Sequence, residues 1–92
     1  MPILNSQVTI AQDTRELIAS ADNMPQQVIV HDDDHGGSKE VFLGNETVTD
    51  TNGLHLANGD TLQMTLRPGD KLYAYSGNGS CVVHVIQIQN ND

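Results

Sequence analysis

Apolar and polar residues alternate with a period of two along most of the chain, and this pattern predicts strands. Val8, Ile10 and Gln12 share one face of a first strand, with Gln7, Thr9 and Ala11 on the other. From Thr14 to Ser20 the pair Leu17-Ile18 could open a helical turn, but no second apolar turn follows, so this segment is predicted as a strand. Asp22-Asn23-Met24-Pro25 reads as a turn, because proline fixes its own φ and disfavours helix in the residue before it. Gln27–His31 is a β-branched strand, and Val41-Phe42-Leu43 is a short apolar one stopped by Gly44-Asn45, with Phe42 expected in the core. Thr61 to Leu66 alternates cleanly, with Leu62, Met64 and Leu66 inward.

Turn chemistry separates these runs. Arg67-Pro68-Gly69-Asp70 carries Pro and Gly at the two central positions of a type II turn. Lys71–Tyr75 follows as a strand, and Ser76-Gly77-Asn78-Gly79 reads as a hairpin connection into the last one. Between Glu46 and Asn58 no period is sustained, so Val48, Leu54 and Leu56 are expected to anchor a structured loop. In the last strand, Cys81, Val83 and Val85 lie on one face, while Val82, His84, Ile86 and Ile88 lie on the other. Both faces are mostly apolar, as in a strand covered on both sides, and the second cover would be another subunit. The expected fold is all-β: a small antiparallel β-sandwich or jelly-roll-like barrel of about seven short strands. Residues 1–7 are expected as an N-terminal arm and residues 8–92 as a single β-sandwich domain.

Composition narrows the function. At 92 residues the chain supports one core, and with 3% aromatics that core is aliphatic. So little aromatic bulk makes extra burial by self-association an expectation. Four Lys and Arg against twelve Asp and Glu give a net charge of −8, which opposes binding to nucleic acid or to an anionic membrane surface. No apolar run approaches the roughly 20 residues that cross a bilayer as a helix, and the N-terminus has no basic leader pattern. A lone cysteine forms no intrachain disulfide.

Candidate chemistry is sparse. His31-Asp32-Asp33-Asp34-His35 has metal-ligand residue types, but the spread of oxygen ligands that a calcium loop needs is missing; Asp32 to Ser38 reads as a solvated acidic loop. Cys81 and His84 fall on opposite faces of a strand and cannot pair as nucleophile and base. No nucleophile elbow, Walker loop or dinucleotide fingerprint is present. Tyr73 and Tyr75 share a strand face, as a cross-strand packing pair or a sugar-stacking platform would. No catalytic residue, cofactor or metal site is expected.

The order of segments carries a resemblance. Leu17-Ile18-Ala19, Val28-Ile29-Val30, Val41-Phe42-Leu43-Gly44 and Val48-Thr49 with Asn52-Gly53-Leu54-His55-Leu56 come first. Gly59-Asp60-Thr61-Leu62, Pro68-Gly69-Asp70-Lys71-Leu72-Tyr73-Ala74 and Gly79-Ser80-Cys81-Val82-Val83-His84-Val85 follow. Over roughly residues 8–88 this colinear series resembles small β-structured virion proteins of tailed bacteriophages. The resemblance implies a non-enzymatic capsid decoration (cement) protein, or a head or tail accessory, on the capsid surface of a virion made in the host cytoplasm. It further implies the major capsid protein as partner and a homo-oligomer, with a trimer favoured. Ile3, Leu4, Val82, His84, Ile86 and Ile88 are the candidate capsid-contact or oligomer-interface residues, with the arm adding a strand or hook to a capsid edge. The alternative is a receptor- or glycan-binding module of a phage tail or head fibre, with Tyr73 and Tyr75 as its platform.

Overall fold

A computed structural model describes residues 3–21, 25–32, 40–49, 51–57, 59–77 and 79–89. Its strands are β1 (Ile3–Ile10), β2 (Thr14–Ser20), β3 (Gln26–Asp32), β4 (Val41–Gly44), β5 (Leu54–Leu56), β6 (Thr61–Leu66), β7 (Lys71–Ser76) and β8 (Cys81–Gln89). No helix occurs among the described residues. Two four-stranded antiparallel sheets form, with strand orders β1-β8-β3-β6 and β2-β7-β4-β5. Only β4 and β5 are consecutive and paired; every other connection crosses between sheets, which is the winding of a jelly roll. The expected all-β sandwich is present. The strand beyond the seven expected is β5, three residues that add to the edge of the second sheet.

The core is the aliphatic filling between the two inner faces. Ile10, Val28, Val30, Val83 and Val85 come from the first sheet, and Ile18, Val41, Leu43, Leu56, Leu72 and Ala74 from the second. Leu62, Met64 and Leu66 point inward from β6 as the alternation requires, with Leu66 buried and the other two packed against the cluster. In β2 a register shift between Leu17 and Ala19 lets Ile18 and Ala19, adjacent in sequence, both be buried. At the end of β6, Asp70 donates its N–H to the Arg67 carbonyl at 2.9 Å, and Gly69 has φ +90°, the conformation a type II turn demands of its third residue.

Four sequence expectations change. Residues 3–7 are not separate from the domain: Ile3 pairs with Ile88 and the ladder continues without interruption to Ile10–Cys81, because β8 is long enough to receive all of β1. Ser76 to Ser80 is not a hairpin, since β7 and β8 lie in different sheets. The crossing is held by Ser76 Oγ, which donates to the Gly79 carbonyl, and by Asp13 N–H, which donates to the Ser76 carbonyl at 2.6 Å. Phe42 is half-buried on the outer face, because Val41 and Leu43 take the two inward positions of their short strand. Asp32 belongs to β3 rather than to a solvated loop. It follows Val28 and Val30 at the same period, is 0% exposed, and accepts a hydrogen bond from Cys81 Sγ at 3.2 Å. The rest of the acidic stretch, with His35, and residues 22–24 of the predicted turn lie outside the described residues.

Candidate functional site

The outer face of the β1-β8-β3-β6 sheet is assembled from alternate residues of four strands. Register sets its rows. Ile3 faces Ile88, which faces Gln27, which faces Thr65. Asn5, Ile86, Ile29 and Gln63 form the next row. Gln7, His84, His31 and Thr61 form a third, and Thr9 and Val82 begin a fourth. Ile3 is 62% exposed and Ile86 39% exposed, while Ile29, Val82 and Ile88 are half-buried by their neighbours alone. No described residue of this face is Asp, Glu, Lys or Arg, on a chain that carries a net charge of −8.

That absence has a physical meaning. A face that stays in water gains solubility from charge, and the rest of this chain supplies it generously. Depletion of charged residues, with apolar residues in the middle and amides and hydroxyls around them, is the composition of an interface centre. Among the candidate residues, the structure brings Ile3, Val82, His84, Ile86 and Ile88 together here. Leu4 is separated from them. It pairs with Gln87 on the opposite side of β1 and stays 58% exposed at the end of the sheet.

The sequence reading did not place His31 or Ile29 on this face. His31 and His84 are far apart in the chain, yet β3 and β8 place them directly opposite each other. His31 Nδ1 lies 2.9 Å from Thr61 Oγ1, which anchors one side of its ring. Ile29, central in the β-branched strand, completes the apolar centre beside Ile86.

The other sheet presents a different surface. Arg15, Tyr75, Phe42 and His55 run across β2, β7, β4 and β5 in one row. Phe42 stacks on His55 with centroids 5.2 Å apart, and His55 pairs with Glu40. The Arg15 guanidinium sits over the Tyr75 ring at 5.9 Å while its Nε donates to the Val48 carbonyl at 2.6 Å. Tyr75 is thus covered by its own chain. Tyr73 differs, because its cross-strand neighbour on β4 is Gly44, which has no side chain. Tyr73 walls an open hollow of about 370 Å³ together with Asn45, Glu46, Asp70 and Lys71.

Among the described residues no group of three or more His, Cys, Asp or Glu is placed to hold a metal ion. No described helix is long and apolar enough to cross a membrane.

Comparison with known proteins finds no matching family model and no matching curated protein. Among solved structures, the chain is similar to one described by the words "Bacillus endospore appendages form a novel family of disulfide-linked pili". The likeness covers 97% of this chain and 89% of that one, at 16% identity and a TM-score of 0.47.

Proposed function

We propose that this chain is a non-enzymatic structural protein of a phage virion, of the capsid decoration type, acting in a homo-oligomer. The uncharged outer face of the β1-β8-β3-β6 sheet carries this reading, because its composition is that of a contact surface. The colinear series of segments that resembles tailed-phage virion proteins supplies the class of partner. Self-association through this face would present several capsid-binding surfaces at once, so weak individual contacts would add as avidity. Each added contact would then stabilise the assembled shell by mass action. β1 offers the capsid contact. Among the described residues it is an edge strand, paired with β8, and its exposed start at Ile3 and Leu4 can accept or add to a strand of the major capsid protein.

The test is co-sedimentation of purified protein with capsids that lack any decoration protein. Saturable binding, weakened by Leu4→Asp, supports the reading; capsids that pellet without the protein at micromolar concentrations refute it.

A second reading has its own observation. The hollow beside Tyr73 brings a half-buried aromatic ring together with Asn45, Glu46, Asp70 and Lys71, the groups that would hold a saccharide in a receptor-binding module. Screening against immobilised glycans, with Tyr73→Ala as the control, decides it. Hits abolished by that substitution favour it over decoration, and an empty screen removes it.

A further inference from the structure

We propose that His31 and His84 form half of a transition-metal site, which a second copy of this chain completes by docking on the same sheet face. The inference rests on reading that face as a self-association surface, and adds a ligand and a symmetry to it.

The geometry comes from register. His31 on β3 and His84 on β8 are directly paired in an antiparallel ladder and share the outer face. Side chains so paired start about 5 Å apart at Cβ. Two imidazole nitrogens bound to one tetrahedral Zn²⁺ at about 2.0–2.1 Å lie a little over 3 Å from each other, within easy reach of that pair. Thr61 supplies the outer support. His31 Nδ1 lies 2.9 Å from the Thr61 hydroxyl, and in the tautomer where Nδ1–H donates to it, the lone pair that a metal needs is on Nε2.

One chain gives two ligands, and no group of three or more forms among the described residues. A closed zinc site takes four. A two-fold axis that lies in the plane between two docked faces and passes beside the histidine pair repeats it and makes four nitrogen ligands, and it needs only one patch that matches itself. Charge selects the same partner. On this acidic chain, the uncharged face is where a second copy can approach without setting carboxylate against carboxylate. The overall repulsion between two chains of net charge −8 remains, and a divalent cation held between them offsets part of it.

Area explains why a metal is needed. With strands about 4.8 Å apart and residues rising about 3.4 Å, the face measures roughly 15 by 20 Å. Two copies would cover roughly 600 Å² in projection, well below the about 1,200 Å² at which specific complexes become stable. The apolar rows alone give a weak contact, and the four metal bonds make it a strong one.

Analytical ultracentrifugation of tag-free full-length protein, with ZnCl₂ or with EDTA, tests the proposal alongside His31→Ala, His84→Ala and Ile86→Glu. The expected result is a zinc-dependent dimer at one zinc per two chains, with the dimer Kd at least tenfold lower in zinc than in EDTA. That gain disappears in either histidine variant while the far-UV spectrum is unchanged. A dimer equally stable in EDTA and in both histidine variants, but lost in Ile86→Glu, overturns the metal site and leaves the face as an interface. Zinc binding that survives both histidine substitutions, or that leaves the mass monomeric, overturns the proposal, as does the absence of any zinc binding. Capsid co-sedimentation in EDTA reads the decoration role independently.

Discussion

Substituting Gly53 by Ala should destabilise the protein through overpacking, and the structure sets the size of the effect. A Cβ at Gly53 would stand 2.6 Å from Val48 Cγ2, 2.7 Å from Phe42 Cβ and 3.1 Å from the Thr49 carbonyl. Ordinary contacts lie at 3.4–4 Å, so two of these neighbours must retreat by most of an ångström. Neither is the loose end of a long side chain. Val48 is 1% exposed, and Phe42 Cβ is fixed by the β4 backbone. Forcing one extra carbon into such a site costs about 1–3 kcal/mol, and the double contact places Gly53→Ala near the top of that range, at about 3 kcal/mol. For a domain of this size that lowers Tm by roughly 12–24 °C.

Val48→Ala provides the control. Alone it removes two buried methyl groups and leaves a cavity, costing about 2 kcal/mol. Combined with Gly53→Ala it takes away the nearest clashing atom but leaves the one at Phe42. The double variant should therefore be about 1 kcal/mol more stable than the sum of the single effects. Thermal and urea melts of the four proteins complete the cycle. A Gly53→Ala protein that melts within 2–3 °C of the parent would refute the close packing of this loop against β4, and so would strict additivity with Val48→Ala. The loop matters beyond stability, because the Val48 carbonyl receives Arg15 Nε and so helps to hold the guanidinium over Tyr75.

Three further outcomes are expected. Val83→Ala, at a 0% exposed position in the central strand β8, should cost about 2–3 kcal/mol in a urea melt, with the m-value unchanged. Gly69→Ala should cost about 1 kcal/mol from backbone strain alone: φ is +90°, but nothing lies within 4 Å of the new Cβ, so a penalty above about 3 kcal/mol would contradict this account. Arg15→Lys should lower stability nearly as much as Arg15→Ala, by about 1 kcal/mol, because a lysine cannot reach the Val48 carbonyl while lying flat over Tyr75; full retention of Tm by the lysine variant would refute the contact.

Much of the architecture was legible in the chain itself, because period-two alternation is a statement about which side chains avoid water. It placed Leu62, Met64 and Leu66 inward, separated Cys81, Val83 and Val85 from Val82, His84, Ile86 and Ile88, and made Thr14–Ser20 a strand. Pro68-Gly69 fixed the turn between β6 and β7 through backbone sterics alone. Alternation names a face but not a neighbour. Which strands pair is decided by how the whole aliphatic set is best enclosed, and that depends on all strands together. So the chain between Ser76 and Ser80 changes sheets where a local reading gives a hairpin, and β8 settles between β1 and β3. Asp32, in an acidic run, is drawn into the core beside Cys81 because its position in β3 points inward. The same packing sets His31 against His84 and gathers one uncharged face from four strands. Local order was written in the sequence; the candidate site exists only because long-range pairing put its residues side by side.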